Sequence, residues 1–298
     1  MTNSQIQYNK NSSVKYGWRP SWFGADDFDS YLTEKIKQFQ KQCRITIDGY
    51  CGADTFRRIF VARSEQITEL EEKEGEGSHI VYGGNFFDID WDSVVLWNAS
   101  NGFRAKENNY RISKTLRKPR IFINHWDVCL TSKMCQDVLD QRGISVHFLI
   151  SEPDRSGKCT IYQTMDCSDI AYHAGNANSY SIGVEICNPY YTKYDDWHRR
   201  NGLPLRPRWT GFVRGKELEE HLGFYDVQIK ACQALWRAVS IACDIPLDFP
   251  RDDDGKMIDR LYPPALENWK GICHHFHTDT KQGKIDCGGF DLKKYIGE

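Results

Sequence analysis

Arg120-Ile121-Phe122-Ile123-Asn124-His125 is the stretch on which the fold turns. Its apolar run is too short for a helix, is β-branched or aromatic throughout, and gives way to polar residues at Asn124 and His125. It reads as a buried strand with a histidine at its end. Downstream, Ser132 to Gln141 has the spacing of an amphipathic helix stopped at Gly143, and Ser145-Val146-His147-Phe148-Leu149-Ile150 reads as a second strand. A polar turn around Asp154-Arg155-Ser156-Gly157 leads to a third strand, Cys159 to Gln163. Ser181 to Cys187 is a fourth, ended by Asn188-Pro189. Cys232, Leu235, Trp236, Val239 and Cys243 recur at helical spacing and give a long helix that ends before Pro246. Strands interleaved with helices predict an α/β domain, a mixed central β-sheet flanked by helices.

Upstream the pattern changes. Leu32, Ile36, Phe39 and Gln40 line one face of a short helix, followed by Ile45, Ile47, the turn pair Asp48-Gly49, Gly52 and a second helical run from Thr55 to Phe60. The preceding Trp18, Pro20, Trp22 and Phe23 suggest packed irregular structure. This zone predicts a small all-α, three-helix domain, too small for a large active site. Glu69 to Ser78 is acidic and ends in glycines, as a solvated connector does. The expected organisation is therefore 1–62 helical domain, 63–78 acidic linker and 79–298 α/β domain, in keeping with about two domains for 298 residues.

Composition excludes several classes. The chain is 40% hydrophobic and 27% charged, which argues against disorder as its main state. Lys+Arg is 39 and Asp+Glu 41, a formal charge of −2, so no general attraction for nucleic acid or an anionic membrane is expected. No apolar stretch reaches the roughly 18–20 residues of a membrane span. The first ten residues have no apolar run of the kind a secretory signal requires. Eleven cysteines, odd in number and without a CxxC pair, are read for the most part as reduced, half-buried thiols from a reducing cytosol.

The residues able to do chemistry converge on two places. His125 sits where a side chain can leave the sheet and enter a cleft. Near the C-terminus, Cys273-His274-His275-Phe276-His277 is followed by Lys284-Ile285-Asp286-Cys287-Gly288-Gly289. If the histidine segment is a strand, its period of two puts Cys273, His275 and His277 on one face and His274 on the other. A returning loop that brings Asp286 or Cys287 beside that face would make a metal site. Imidazole with carboxylate or thiolate suits zinc, and a catalytic zinc takes three protein ligands and keeps a position for water. His125, His275 and Asp286 make three. A structural site of Cys273, Cys287 and two histidines is the alternative.

These residues resemble a known family. From about Arg120 to Asp291 the chain is similar to the zinc-dependent N-acetylmuramoyl-L-alanine amidases, a fold shared by phage amidase-type lysozymes and animal peptidoglycan-recognition proteins. The likeness rests on Ile123-Asn124-His125, Gly143 to Ile150, Tyr172-His173-Ala174-Gly175-Asn176-Ala177-Asn178, Ser181-Ile182-Gly183-Val184-Glu185, and His275 with Lys284-Ile285-Asp286 and Gly288. It implies Zn2+ held by His125, His275 and Asp286, with His274 or His277, and Cys287, as the neighbours that could replace the last two. The phage lysozyme subgroup has a catalytic tyrosine where this chain has Val146. The other branch uses a glutamate that matches Glu185 here, as general base and acid. Lys284 would stabilise the oxyanion. His173 and Asn178 would contact substrate, whereas His147 is read as structural. The N-terminal zone resembles a peptidoglycan-binding module through Phe39, Asp48, Gly49 and Gly52.

The expected function is hydrolysis of the amide between N-acetylmuramic acid and L-alanine of bacterial peptidoglycan, by a monomeric phage endolysin. It would be held in the host cytoplasm until lysis and then act on the cell wall. The rivals are a non-catalytic peptidoglycan receptor, a structural phage component, and a zinc hydrolase of another amide. The insertion Tyr190 to Phe224, with Trp197, Arg199, Arg200, Arg206 and Arg208, either borders the cleft or is a solvated loop.

Overall fold

The structure, a computed structural model, describes residues 3–60, 62, 78–113 and 115–296. The acidic linker expected over 63–78 lies outside the described residues except for Ser78. Two compact units divide the chain. One comprises Met1–Glu76, Val81–Phe86 and Ile112–Arg117; the other comprises Gly77–Ile80, Phe87–Arg111 and Lys118–Glu298.

The first unit is helical. Helix α1 spans Asn3–Tyr16, α2 spans Ser30–Gln42, and α3 runs over residues 53–60. Asp29 caps α2 by accepting the Leu32 amide at 2.9 Å. Leu32 and Ile36 on the inner face of α2 then pack with Trp18, Phe23, Phe28, Cys51 and Ile59. The aromatic segment before α2 is more regular than expected, since Pro20–Phe23 forms one 3₁₀ turn. Helix α1 was not legible in the sequence because polar side chains, not an apolar stripe, hold it. Buried Asn9 donates to Gly49 O at 2.9 Å and accepts from Cys51 N at 2.8 Å, and Ser12 donates to Cys51 O. Gln40 does the same work from α2. Its amide nitrogen reaches Asp48 Oδ1, Tyr50 O and Thr55 Oγ1, while its oxygen accepts from Asp48 N and Gly49 N.

Strands β1 (Ser78–Tyr82) and β2 (Asn85–Ile89) form a two-stranded sheet. The second unit continues with β3 (Val94–Leu96), β4 (Tyr110–Arg111), β5 (Ile121–Trp126), α4 (Ser132–Arg142), β6 (Phe148–Ile150), β7 (Ile161–Gln163), β8 (Ile170–Ala171) and β9 (Ser181–Ile186). Then come α5 (Asp195–Arg200), the hairpin β10 (Arg208–Val213) and β11 (Lys216–Leu222), α6 (Asp226–Cys243), α7 (Pro263–Leu266), β12 (Gly271–His274) and α8 (Leu292–Tyr295). The main sheet has the order β12-β5-β9-β6-β7-β3, parallel except for the β6–β7 pair. This is the α/β architecture with a mixed sheet that the sequence predicts.

All six residues of β5 are buried, so the strand needs cover on both faces. On one, Ile121 and Ile123 pack with Ala174, Ala177 and Cys273, and α4 lays Cys135 and Leu139 against Val146 and Leu149. On the other, Trp236 of α6 donates its indole N–H to Asn124 Oδ1 at 3.1 Å. Two strands are shorter than expected, beginning at Phe148 and Ile161. Before β6 the chain is committed elsewhere: the Ser145 hydroxyl donates to Asn109 O and accepts from Tyr172 N, and His147 Nδ1 accepts from Gly183 N.

Candidate active site

His125 lies near the carboxyl end of β5, where register pairs it with Glu185 of β9. Residues aligned on adjacent parallel strands share a face, so Glu185 emerges beside His125 at the carboxyl ends of the strands, where open α/β sheets place ligands. Strand β12 runs parallel to β5 and stops at His274. The alternation expected through His277 does not occur, because His275–His277 turns into a 3₁₀ helix. A side chain closes on the backbone there: His274 N, on the outer edge of β12, donates to His277 Nδ1 at 2.9 Å. The turn carries the ring of His275 toward His125, and the following loop returns Asp286 to the same point.

Three atoms meet there. His125 Nδ1, His275 Nδ1 and Asp286 Oδ2 are each 3.0 Å from the other two. The neighbouring candidates are occupied elsewhere. His274 Nε2 donates to Phe290 O at 2.7 Å, and His277 Nε2 donates to Ile258 O at 2.6 Å. Cys273 and Cys287 are fully buried free thiols. Burial, reinforced by neighbouring His275, pushes the His125 pKa down to about 4 against the pull of Asp286. Burial would raise the Asp286 carboxyl, but the two imidazoles outweigh it and hold the group well below the usual carboxylate range. The set is thus held with His125 neutral and Asp286 ionised, the forms in which both donate lone pairs.

Behind His125 runs a chain of polar contacts. Its Nε2 lies 2.9 Å from His173 Nδ1, and His173 Nε2 lies 3.0 Å from Ser181 Oγ. With Nδ1 of His125 turned to the triangle, its Nε2–H donates to His173, whose own Nε2–H donates to Ser181. His173 lies so close above Gly183 that a Cβ there would sit 2.5 Å from its Nδ1. Asn178 Oδ1 accepts the amides of His173 and Ala174 at 3.0 and 2.7 Å, which fixes the start of that loop. Ser181 was not singled out from the sequence, although Gly183, two residues on, marks the close approach.

Glu185 is half-buried, and its Oε2 is closed off from solvent without a hydrogen-bond partner. Burial, then the charges of Asp127 and Asp286, raise its pKa well above the ordinary value, with Lys284 opposing. Lys284 is exposed and its charge bears on both His125 and Glu185.

A family model described as N-acetylmuramoyl-L-alanine amidase matches residues 115–286, more than half of the chain and the whole of the triangle. The chain belongs to that amidase family. A second model, described as a peptidoglycan binding domain, matches residues 15–59. No curated protein matches the chain. Among solved structures it is similar to AmpDh3 from Pseudomonas aeruginosa in complex with anhydromuramic pentapeptide, at 19% identity and a TM-score of 0.33, covering 59% of this chain and 56% of that one. It is also similar to the endolysin N-acetylmuramoyl-L-alanine amidase LysCS from Clostridium intestinale, at 15% identity and a TM-score of 0.33, covering 64% and 85%. The chain thus spans little more than half the length of the first of these. Likenesses this distant carry no argument about activity.

Within this amidase-family chain the insertion Tyr190 to Phe224 folds as α5 and the β10–β11 hairpin, with Arg199, Arg200 and Arg208 exposed. Arg206 is 3% exposed and bonds Gly223 O, Gln228 Oε1 and Cys187 O. The β10–β11 hairpin lies against the segment that carries Asp286. Arg214 donates to Lys284 O at 2.8 Å, His221 Nε2 donates to Gly288 O at 3.2 Å, and a Cβ on Gly211 would meet Gly289 N at 2.6 Å. In the helical unit, Asp48 and Gly52 line a groove of about 840 Å³ with Tyr8, Arg44 and Tyr50. Phe39 instead packs edge-on against Phe23 in the core, and Gly49 takes φ +77° where a Cβ would strike Thr33.

Proposed function

We propose that the protein is a zinc-dependent peptidoglycan hydrolase, cleaving the amide between the lactyl group of N-acetylmuramic acid and L-alanine of the stem peptide, and that it serves a phage as endolysin. The observation that carries the reading is the triangle of His125, His275 and Asp286 in a chain of the amidase family. Two imidazoles and a carboxylate cannot satisfy three mutual 3.0 Å contacts with protons alone, because two ring N–H groups would face each other. A tetrahedral ion with bonds of about 2.0–2.1 Å would hold its ligand atoms roughly 3.3 Å apart, close to the spacing found. Zinc so bound supplies Lewis-acid chemistry, bringing the pKa of water from about 15.7 toward about 7 and polarising the scissile carbonyl.

The chain's own residues do the rest. Glu185, with its raised pKa and free Oε2, accepts the proton of the attacking water and returns it to the leaving amine. Lys284 brings positive charge to the developing oxyanion. His173 orients His125, and Asn178 acts through the His173 loop rather than on substrate. Residues 1–62 bind the polymer through the groove that Asp48 and Gly52 line, while Phe39 in the core and Gly49 in its turn support the helical fold. Residues 63–78 link this module to the amidase domain, 79–298. The endolysin would await lysis in the host cytoplasm and then reach the wall.

Digestion of purified cell walls, with products read by mass spectrometry, tests the reading. Wild type should expose new N-terminal alanine on stem peptides, and Glu185→Ala should expose none while keeping its zinc. Zinc-loaded protein that releases no peptide would make it a receptor, and cleavage at another amide would make it a different hydrolase.

A further inference from the structure

Two residues beyond His125 the chain makes a second cluster of metal-binding atoms. A carboxylate oxygen of Asp127 and the Sγ atoms of Cys129 and Cys135 lie within 4.8 Å of one another. Asp127 directly follows β5, Cys129 lies in the loop beyond it, and Cys135 comes from the first turn of α4. The Asp127 side chain is fixed: its Oδ1 accepts the amides of Cys129 and Asn188, both at 2.9 Å. Its Oδ2 is buried without a hydrogen-bond partner. The Cys129 thiol donates to Asp127 O at 3.3 Å, and Cys135 is buried while Cys129 is half-buried. Glu185, whose Oε2 also lacks a partner, stands within electrostatic reach of both Asp127 and Cys129. Two buried carboxyl oxygens near a thiol pair thus carry lone pairs that no protein donor answers.

We propose that Asp127, Cys129 and Cys135 form a second cation site that takes a soft divalent ion such as Zn2+ and, when filled, holds Glu185 away from its work. Two thiolates and a carboxylate select a soft or borderline ion over magnesium or calcium. Zinc–sulfur bonds of about 2.3 Å would set the sulfurs roughly 3.8 Å apart, within the span observed. The ion attracts the Glu185 carboxylate and withdraws it as a base; this inhibitory consequence, unlike the site itself, rests on the amidase reading above.

The test uses the full chain, stripped of metal under reducing conditions and titrated with Co2+, then separately with Zn2+. Wild type should bind two ions per chain by native mass spectrometry and develop a thiolate-to-cobalt charge-transfer band in the near ultraviolet. Cys129→Ser, at a half-exposed position, should bind one ion and lose the band, and Cys135→Ala should behave alike. Zinc beyond the first equivalent should inhibit wall digestion by wild type. In Cys129→Ser the half-inhibiting concentration should rise by at least about tenfold. One ion per wild-type chain without a band overturns the proposal. So does a band that persists in both cysteine variants, which would put the thiolate at Cys273 or Cys287. His125→Ala should leave the band in place, so the second site and the catalytic site fail independently.

Discussion

Replacing Gly183 by alanine should loosen the metal site without touching any proposed ligand. The added Cβ would lie 2.5 Å from Cε1 and Nδ1 of His173, whereas ordinary contact begins near 3.4 Å. The ring must therefore retreat by about 0.9 Å, since dispersion contacts turn steeply repulsive at shorter range. That would stretch the 2.9 Å contact between His173 Nδ1 and His125 Nε2 to about 3.8 Å, beyond hydrogen-bonding range. Losing the partner that orients a metal-bound imidazole costs about 10- to 100-fold in metal affinity or activity. Overpacking adds about 1–3 kcal/mol of destabilisation. Zinc affinity is measured by competition with a chromophoric chelator, and stability by urea unfolding of the metal-free chain. A double-mutant cycle gives the decisive comparison. His173→Ala should lower zinc affinity to a similar degree, and Gly183→Ala should cost nothing further in that background, because the ring it displaces is gone. A full penalty for Gly183→Ala in the His173→Ala background would refute the argument.

Glu185→Gln keeps the shape of the side chain and removes its proton affinity, so kcat should fall about 10²- to 10⁴-fold with zinc content unchanged; equal turnover would remove Glu185 from the proton path. In the metal-free protein, burial depresses His125 and His274 to about 4 and lowers His198 and His277 as well, so unfolding takes up protons as pH falls below 6.5. Asp127, raised to about 7, and Glu185 release protons on unfolding in that range. Four histidines outweigh two carboxyls, so stability should rise from pH 4.5 to 6.5, by about 1.4 kcal/mol per pH unit for each net proton. Urea midpoints that are flat or falling over this range would contradict it. Gln40→Leu strands the Asp48 and Gly49 amides, at about 1–3 kcal/mol each. Hydrogen exchange at Tyr50 and Cys51 should accelerate sharply, and unchanged protection would show that Gln40 does not hold the turn.

The parts of the fold legible in the sequence are those that apolar periodicity governs. Ile121 to Ile123, the α4 stripe ending at Gly143 and the α6 repeat are each written in side chains that water rejects. Helix α1 was missed because Asn9 and Ser12 attach it through hydrogen bonds, which leave no periodic trace. The turn after His274 was missed for a related reason, as a histidine accepting its neighbour's amide looks in sequence like any strand residue. The spacing did point to His125, His275 and Asp286, which the fold brings within 3.0 Å of one another. What spacing could not convey was the direction of each ring. His274 and His277 lie one and two positions from His275, yet both spend their Nε2 protons on backbone carbonyls. His173 carries the same limitation: its residue type announces chemistry, and only the geometry reveals that it leans on His125.

The carboxylate corner of the triangle is shored up from outside the sheet. His125 sits on β5 and His275 directly follows β12, but Asp286 stands on a loop braced by a hairpin some seventy positions upstream. Two corners are thus inherited with the scaffold, while the third is underwritten by an appendage. A chimaera that exchanges the 284–289 loop without its hairpin would transplant the tenant and leave the landlord behind. Partners for recombination in this family are therefore pairs of segments, and a survey of related chains should find the two lengthening or vanishing together.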